Sequence, residues 1–180
     1  MRMALVIALF TAWAAVVAWC DCRHRRIGNE WVIAGLFVAL VCSAVRVSPF
    51  GVAPGQALYG AIVGCAALLP FFLVGVMGAA DVKVFAVLGA WCGVSALLDL
   101  WVVASLAAAV HAGALLIAAR LRSGATSASA SASASAAPLL WRSGKPTFAL
   151  GERRATPYAA LLVGAAALHL LGGLLRGAVR

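Results

Sequence analysis

Apolar and polar residues fall into long separate blocks along this chain. Residues 3–20 carry no charge, and neither do 31–45 or 47–80, whose apolar centre is 56–77. The block 84–120 holds a single charge, Asp99, before it closes on Arg120, and 155–175 is the last block. A spanning helix needs about 20 apolar residues. The block 84–120 is too long for one helix, so it divides near 93–99 and the pattern predicts six spans. The apolar runs are continuous rather than alternating, which argues against a strand barrel. The expected class is an all-α, polytopic integral membrane protein of about six transmembrane helices, with the lipid bilayer as its first partner.

Composition supports this pattern. The chain is 65% hydrophobic and 11% charged over 180 residues, more apolar surface than a soluble domain of that size can bury. The net charge of +9 then has a membrane explanation. If six spans alternate, ten of the 14 Lys and Arg residues face one side, including Arg23, Arg25, Arg26, Lys83, Arg153 and Arg154. Arg2, Arg46, Arg176 and Arg180 face the other. This is the positive-inside asymmetry. It places both chain ends outside the membrane and the basic clusters in the cytoplasm, and no nucleic-acid partner is expected. A cleaved signal peptide at Ala12-Trp13-Ala14 is disfavoured, because the basic cluster follows the first apolar run instead of preceding it. The five cysteines lie mostly within or beside spans, with no second pair at zinc spacing near Cys20-Asp21-Cys22. They read as small apolar fillers, and neither a metal nor another cofactor is expected.

Organisation along the chain is simple. Residues 1–180 read as a single membrane domain. Within it, 123–137 (SGATSASASASASAA) is a low-complexity cytoplasmic linker with no means of forming a core. Pro70 is expected to kink the third span. Gly60 and Gly64 form a G-x-x-x-G suited to close helix packing. Trp19, Trp31, Trp91, Trp101 and Tyr158 fall near span ends, where interfacial aromatics sit. His111 and His169 read as helix-to-helix hydrogen-bonding groups.

Five acids remain to be placed. Glu30 starts the second span, Glu152 lies in the long loop, and Asp99 falls on the outer side. Asp21 closes the first apolar run and Asp81 sits between two apolar blocks, both at the cytoplasmic edge. Ionisable residues so placed are costly and point to function. Singly, Asp21 reads as a helix-end group or a partner of Arg25, and Asp81 as an N-terminal carboxylate favoured by the helix dipole. Together they suit acid–base hydrolysis. Two neighbouring carboxylates cannot both ionise cheaply, so one draws a proton from water while the other donates one to a carbonyl oxygen.

The surrounding residues resemble a known family. Asp21-Cys22-Arg23-His24-Arg25-Arg26-Ile27-Gly28-Asn29 is similar to the first motif of type IV prepilin peptidases, in which an Asp closing span one is followed by basic residues and Ile-Pro-Asn. Gly78-Ala79-Ala80-Asp81-Val82-Lys83 resembles their Gly-x-Gly-Asp motif. Pro157-Tyr158-Ala159 resembles the Pro-Tyr opening their last span. The small size resembles the minimal branch serving Flp/Tad pili, without the methyltransferase domain, so no methyl transfer is expected. The resemblance implies an intramembrane aspartyl endopeptidase that removes the short basic leader of prepilins or pseudopilins at the cytoplasmic face. It carries the catalytic roles to Asp21 and Asp81, with Lys83 positioning Asp81 or biasing its protonation and Gly78 allowing close approach to substrate. There are two departures from the motifs. Ala80 stands at the second Gly position, where a backbone needing glycine would be strained, and Gly28 replaces the Pro. The rival readings are a non-catalytic membrane subunit of a pilus or secretion apparatus and a small cation-coupled carrier.

Overall fold

The computed structural model describes residues 1–24, 26–125 and 157–178. These form six α-helices: α1 (Arg2–His24), α2 (Asn29–Ala44), α3 (Pro54–Leu73), α4 (Ala79–Cys92), α5 (Val94–Ala125) and α6 (Tyr158–Ala178). No strand occurs among the described residues. Four of the helices are long and apolar enough to cross a membrane, namely α1, α3, α5 over Val94–Ala118, and α6. At 16 and 14 residues, α2 and α4 are shorter.

The chain divides into two units, Met1–Ala109 with Pro157–Arg180, and Val110–Thr156. In the second, the described residues 110–125 continue α5. Ser123, Gly124 and Ala125 of the expected linker are therefore helical, while the rest of it, Glu152 and the basic residues at 142–154 lie outside the described residues.

In the first unit, α4 is the central helix. Val84, Val87, Leu88 and Trp91 are almost completely enclosed. A helix surrounded by protein need not match the bilayer thickness, which explains how 14 residues suffice. Against α3 the packing is backbone on backbone. A Cβ at Gly60 would collide with the Gly89 carbonyl, and one at Gly64 would come within 2.7 Å of the Phe85 carbonyl. The G-x-x-x-G thus lets α3 and α4 approach closely enough for van der Waals attraction to hold them without side chains between. On α1, Trp13 lies over Gly35 of α2 and its indole N–H donates to the Trp31 carbonyl at 2.9 Å.

Aromatic packing fills the far end of α4. Phe10 meets Trp91 and Phe50 edge-on at 5.2 and 5.3 Å, and His169 stacks on Phe50 at 6.1 Å. Trp91 is thus a core residue and not an interfacial one. Trp19, in contrast, is exposed, with the Arg23 guanidinium 5.8 Å from its ring centre.

Two expected turns differ in the structure. The turn at 93–99 contracts to Gly93 alone, whose φ of 76° reverses the chain in one residue so that α5 begins at Val94. Pro70, expected in the middle of its span, lies in the last turn of α3, which ends at Leu73 only three residues later, with Gly75 at φ 80°. The Gly75 N–H bonds the Phe72 carbonyl and the Val76 N–H the Phe71 carbonyl, both at 3.0 Å, a Schellman closure that ends the helix despite the apolar residues beyond.

Candidate functional site

The site lies where α1 ends and α2, α4 and α6 begin. Asp21 sits in the last turn of α1, only 7% exposed, one of three buried polar side chains among the described residues. A carboxylate this enclosed needs a donor. It has one in the Ala160 N–H of α6, which donates to Asp21 Oδ2 at 2.9 Å. The free amides in a helix's first turn lack intrahelical partners and carry the positive end of its dipole, so they suit a carboxylate supplied by another helix.

Asp81 is the third residue of α4 after the N-cap Gly78. Its carboxylate folds back beside Gly78, whose backbone amide favours the charged form. The Ala159 amide, in the same turn of α6, acts in the same sense. Asp81 precedes the apolar part of α4 and lies outside the four span-length helices. Burial pushes its carboxyl up to about 6, with the nearby Asp21 charge adding to the rise, while the Gly78 and Ala159 amides act in the opposite sense. The structure therefore brings Asp21 and Asp81 together across successive amides of one helical turn.

Gly78 has an ordinary extended backbone, φ −75° and ψ 147°, so the position does not call for glycine's conformational range. It calls for space, because a Cβ there would lie 3.3 Å from Asp81 Oδ2. What approaches Gly78 closely is the Asp81 carboxylate. Ala80 is helical in the first turn of α4, and Arg46 is the one non-glycine residue with positive φ among the described residues. The strain expected from replacing the second motif glycine is absent. Gly28 caps α2 with φ −62°, the value a proline would impose.

Lys83 is turned towards α2. Its Nζ donates to Asn29 Oδ1 at 2.8 Å, joining the last residue of the first motif to the last of the second. It ties two helix starts together two residues after Asp81. The remaining acids differ. Glu30 is exposed in the first turn of α2, and Asp99 is exposed on α5 at the opposite end of α4. Among the described residues, no group of three or more His, Cys, Asp and Glu could hold a metal ion, and all five cysteines are free.

Three contributions escaped the sequence reading: the Ala159 and Ala160 amides, Asn29 as the partner of Lys83, and a hydrogen bond of 3.0 Å between the Ser105 and Tyr158 hydroxyls. A signal existed for the first, since Pro157-Tyr158 opens the last helix at the end where the two acids emerge.

Fold and site together define an all-helical membrane protein with two neighbouring carboxylates, one buried and one half-buried, at one end of its helices. Comparison with known families matches residues 8–113, more than half of the chain, to the Type IV leader peptidase family. The chain belongs to that family and is a protease of its kind. No curated protein and no solved structure matches it.

Proposed function

We propose that this chain is an aspartyl endopeptidase that removes the short basic leader from type IV, Flp-like prepilins or pseudopilins at the cytoplasmic face of the bacterial inner membrane. Family membership supports the substrate class, and the basic residues at the Asp21 and Asp81 end support the orientation. The observation that carries the reading is the convergence of Asp21 and Asp81 on one turn of α6.

The chemistry follows from the inequality of the two acids. Asp81, pushed up to about 6, is the acid that supplies the shared proton. Asp21, steadied by the Ala160 amide, draws a proton from a water whose oxygen attacks the scissile carbonyl carbon. Asp81 gives its proton to the carbonyl oxygen, forming a gem-diol. As the C–N bond breaks, the proton gathered by Asp21 passes to the leaving nitrogen and Asp81 recovers its own, which completes hydrolysis. The amides of α6 hold both carboxyl groups in place without moving during the reaction.

A second reading has one observation in its favour. Each acid also serves as a helix cap, Asp81 on α4 and Asp21 on α6, as a non-catalytic subunit would need. Substitution by Asn separates the two, because a carboxamide oxygen still accepts an amide hydrogen bond but cannot exchange the proton. The test is incubation of the purified protein with a Flp-type prepilin, followed by sequencing of the new N-terminus. Wild type yields one defined cut, and Asp21→Asn and Asp81→Asn yield none while remaining folded. Cleavage that persists in either variant leaves the capping reading in its place.

A further inference from the structure

The two carboxylates depend on α6 beginning in one place and one orientation, because successive amides of its first turn serve one acid each. Helix ends fray, and the first residues of a helix are its least constrained. Tyr158 is the first residue of α6, and its hydroxyl pairs with Ser105 of α5 at 3.0 Å. The pair is partly buried, so exchange with water is restricted and the hydrogen bond is correspondingly firm. The residues that follow it are the amide donors themselves.

We infer that the Ser105–Tyr158 hydroxyl pair is a latch that fixes the first turn of α6 against the two aspartates, making both positioning residues for proton partition in the site. This rests on the aspartyl protease reading above. The pair touches neither substrate nor water in the reaction. It acts through the peptide groups of Ala159 and Ala160. If the latch opens, the turn loosens and both carboxylates lose amide donation to their charged forms. The titratable groups facing Asp81 are Asp21 from α1 and Tyr158 from α6, while Lys83 on α4 itself is engaged by Asn29. Losing donors to the ionised carboxylates makes ionisation harder, so both limbs of the pH profile move to higher pH.

The experiment compares Tyr158→Phe, Ser105→Ala, the double variant and Ser105→Thr in detergent, with a purified Flp-type prepilin as substrate. One net hydrogen bond corresponds to a loss in kcat of about five- to tenfold. The expected result is that loss in both single variants, with KM within about twofold, both pH limbs shifted upward, and a double variant no worse than either single one. Ser105→Thr, which keeps the hydroxyl, restores the wild-type profile. Unchanged kcat and pH limbs in Tyr158→Phe overturn the latch, as does a double variant whose losses multiply. Thermal unfolding of each variant separates a folding defect from a kinetic one, and a loss of kcat that follows the folded fraction with no movement of the pH limbs also overturns it. Asp21→Asn and Asp81→Asn run alongside. Cleavage by those two defeats the protease reading itself, whereas inactive Asn variants beside a wild-type-like Tyr158→Phe defeat only the latch.

Discussion

The two ends of α4 treat carboxylates in opposite ways. At its start, Asp21 is buried and Asp81 half-buried, and the two divide one turn of α6 between them. Beyond its end, Asp99 is exposed beside a cavity of about 510 Å³ whose wall includes Phe50, Ser95 and His169. The second region has room and polar groups but a single acid, so no carboxyl there is set against another. Space alone offers binding. Two enclosed acids that oppose each other's charge offer a proton whose position can be exchanged.

The largest expected effect tests that contrast directly. Asp21→Asn and Asp81→Asn should each lower the rate of leader cleavage by roughly a thousandfold or more, as loss of a positioned acid or base does. Asp99→Asn should leave the rate within about twofold. Rates from a prepilin cleavage assay in detergent decide the matter, and a comparable loss in Asp99→Asn would erase the distinction between the ends.

A second contrast sets the polar site against the apolar seam beside it. The seam between α3 and α4 depends on absent side chains, so Gly89→Ala forces a methyl into the Gly60 carbonyl. Overpacking of this kind costs about 1–3 kcal/mol. Gly164, in contrast, has no atom within 4 Å of an added Cβ, and Gly164→Ala should not destabilise. Thermal unfolding in detergent reads both. Equal midpoints for the two variants would mean that the close approach of α3 and α4 is not under strain from added volume.

The acid pair also has a pH signature that the seam lacks. Asp81 is raised to about 6 in the folded protein, whereas the unfolded chain releases that proton near the ordinary carboxylate value. Folded protein therefore binds the extra proton between those values. This contribution to stability is complete below the ordinary value and is lost as pH rises through about 6. Unfolding midpoints measured from pH 4 to 7 should fall more steeply for wild type than for Asp81→Asn. Parallel curves would show that burial does not hold the proton on this group.

Much of this was legible in the chain because a bilayer imposes so strong a pattern. Uncharged runs located all six helices, and the two acids stood out because charge is rare among them. The glycines at 60 and 64 also carried their meaning openly. What stayed hidden was of two kinds. Turns built by one residue, such as Gly93, look like any other glycine in a chain with 18 of them. Donors supplied by backbone, as at Ala159 and Ala160, have no letter of their own, and alanine announces nothing. Lys83 was readable as important but not its partner, since Asn29 lies 54 positions away and only the packing of α2 on α4 unites them. Trp91 misled because nearness to a helix end says nothing about which neighbours cover it.

The smallest expected effect concerns Gly28, where the first motif departs from the pattern it resembles. Gly28 already holds φ −62°, and its peptide begins α2 next to Asn29, the residue that grips Lys83. A proline at 28 therefore asks for no change in φ and removes freedom from the unfolded chain, which at compatible sites stabilises by about 0.4–1 kcal/mol. The atoms nearest an added Cβ belong to the Glu30 side chain, which is exposed and free to turn away. Gly28→Pro should thus raise the unfolding midpoint slightly and leave kcat unchanged. A fall in cleavage without loss of folded protein would mean that residue 28 must bend during turnover. Glycine would then be a working feature of this chain, as the Asp81 carboxylate's need for space makes it at residue 78.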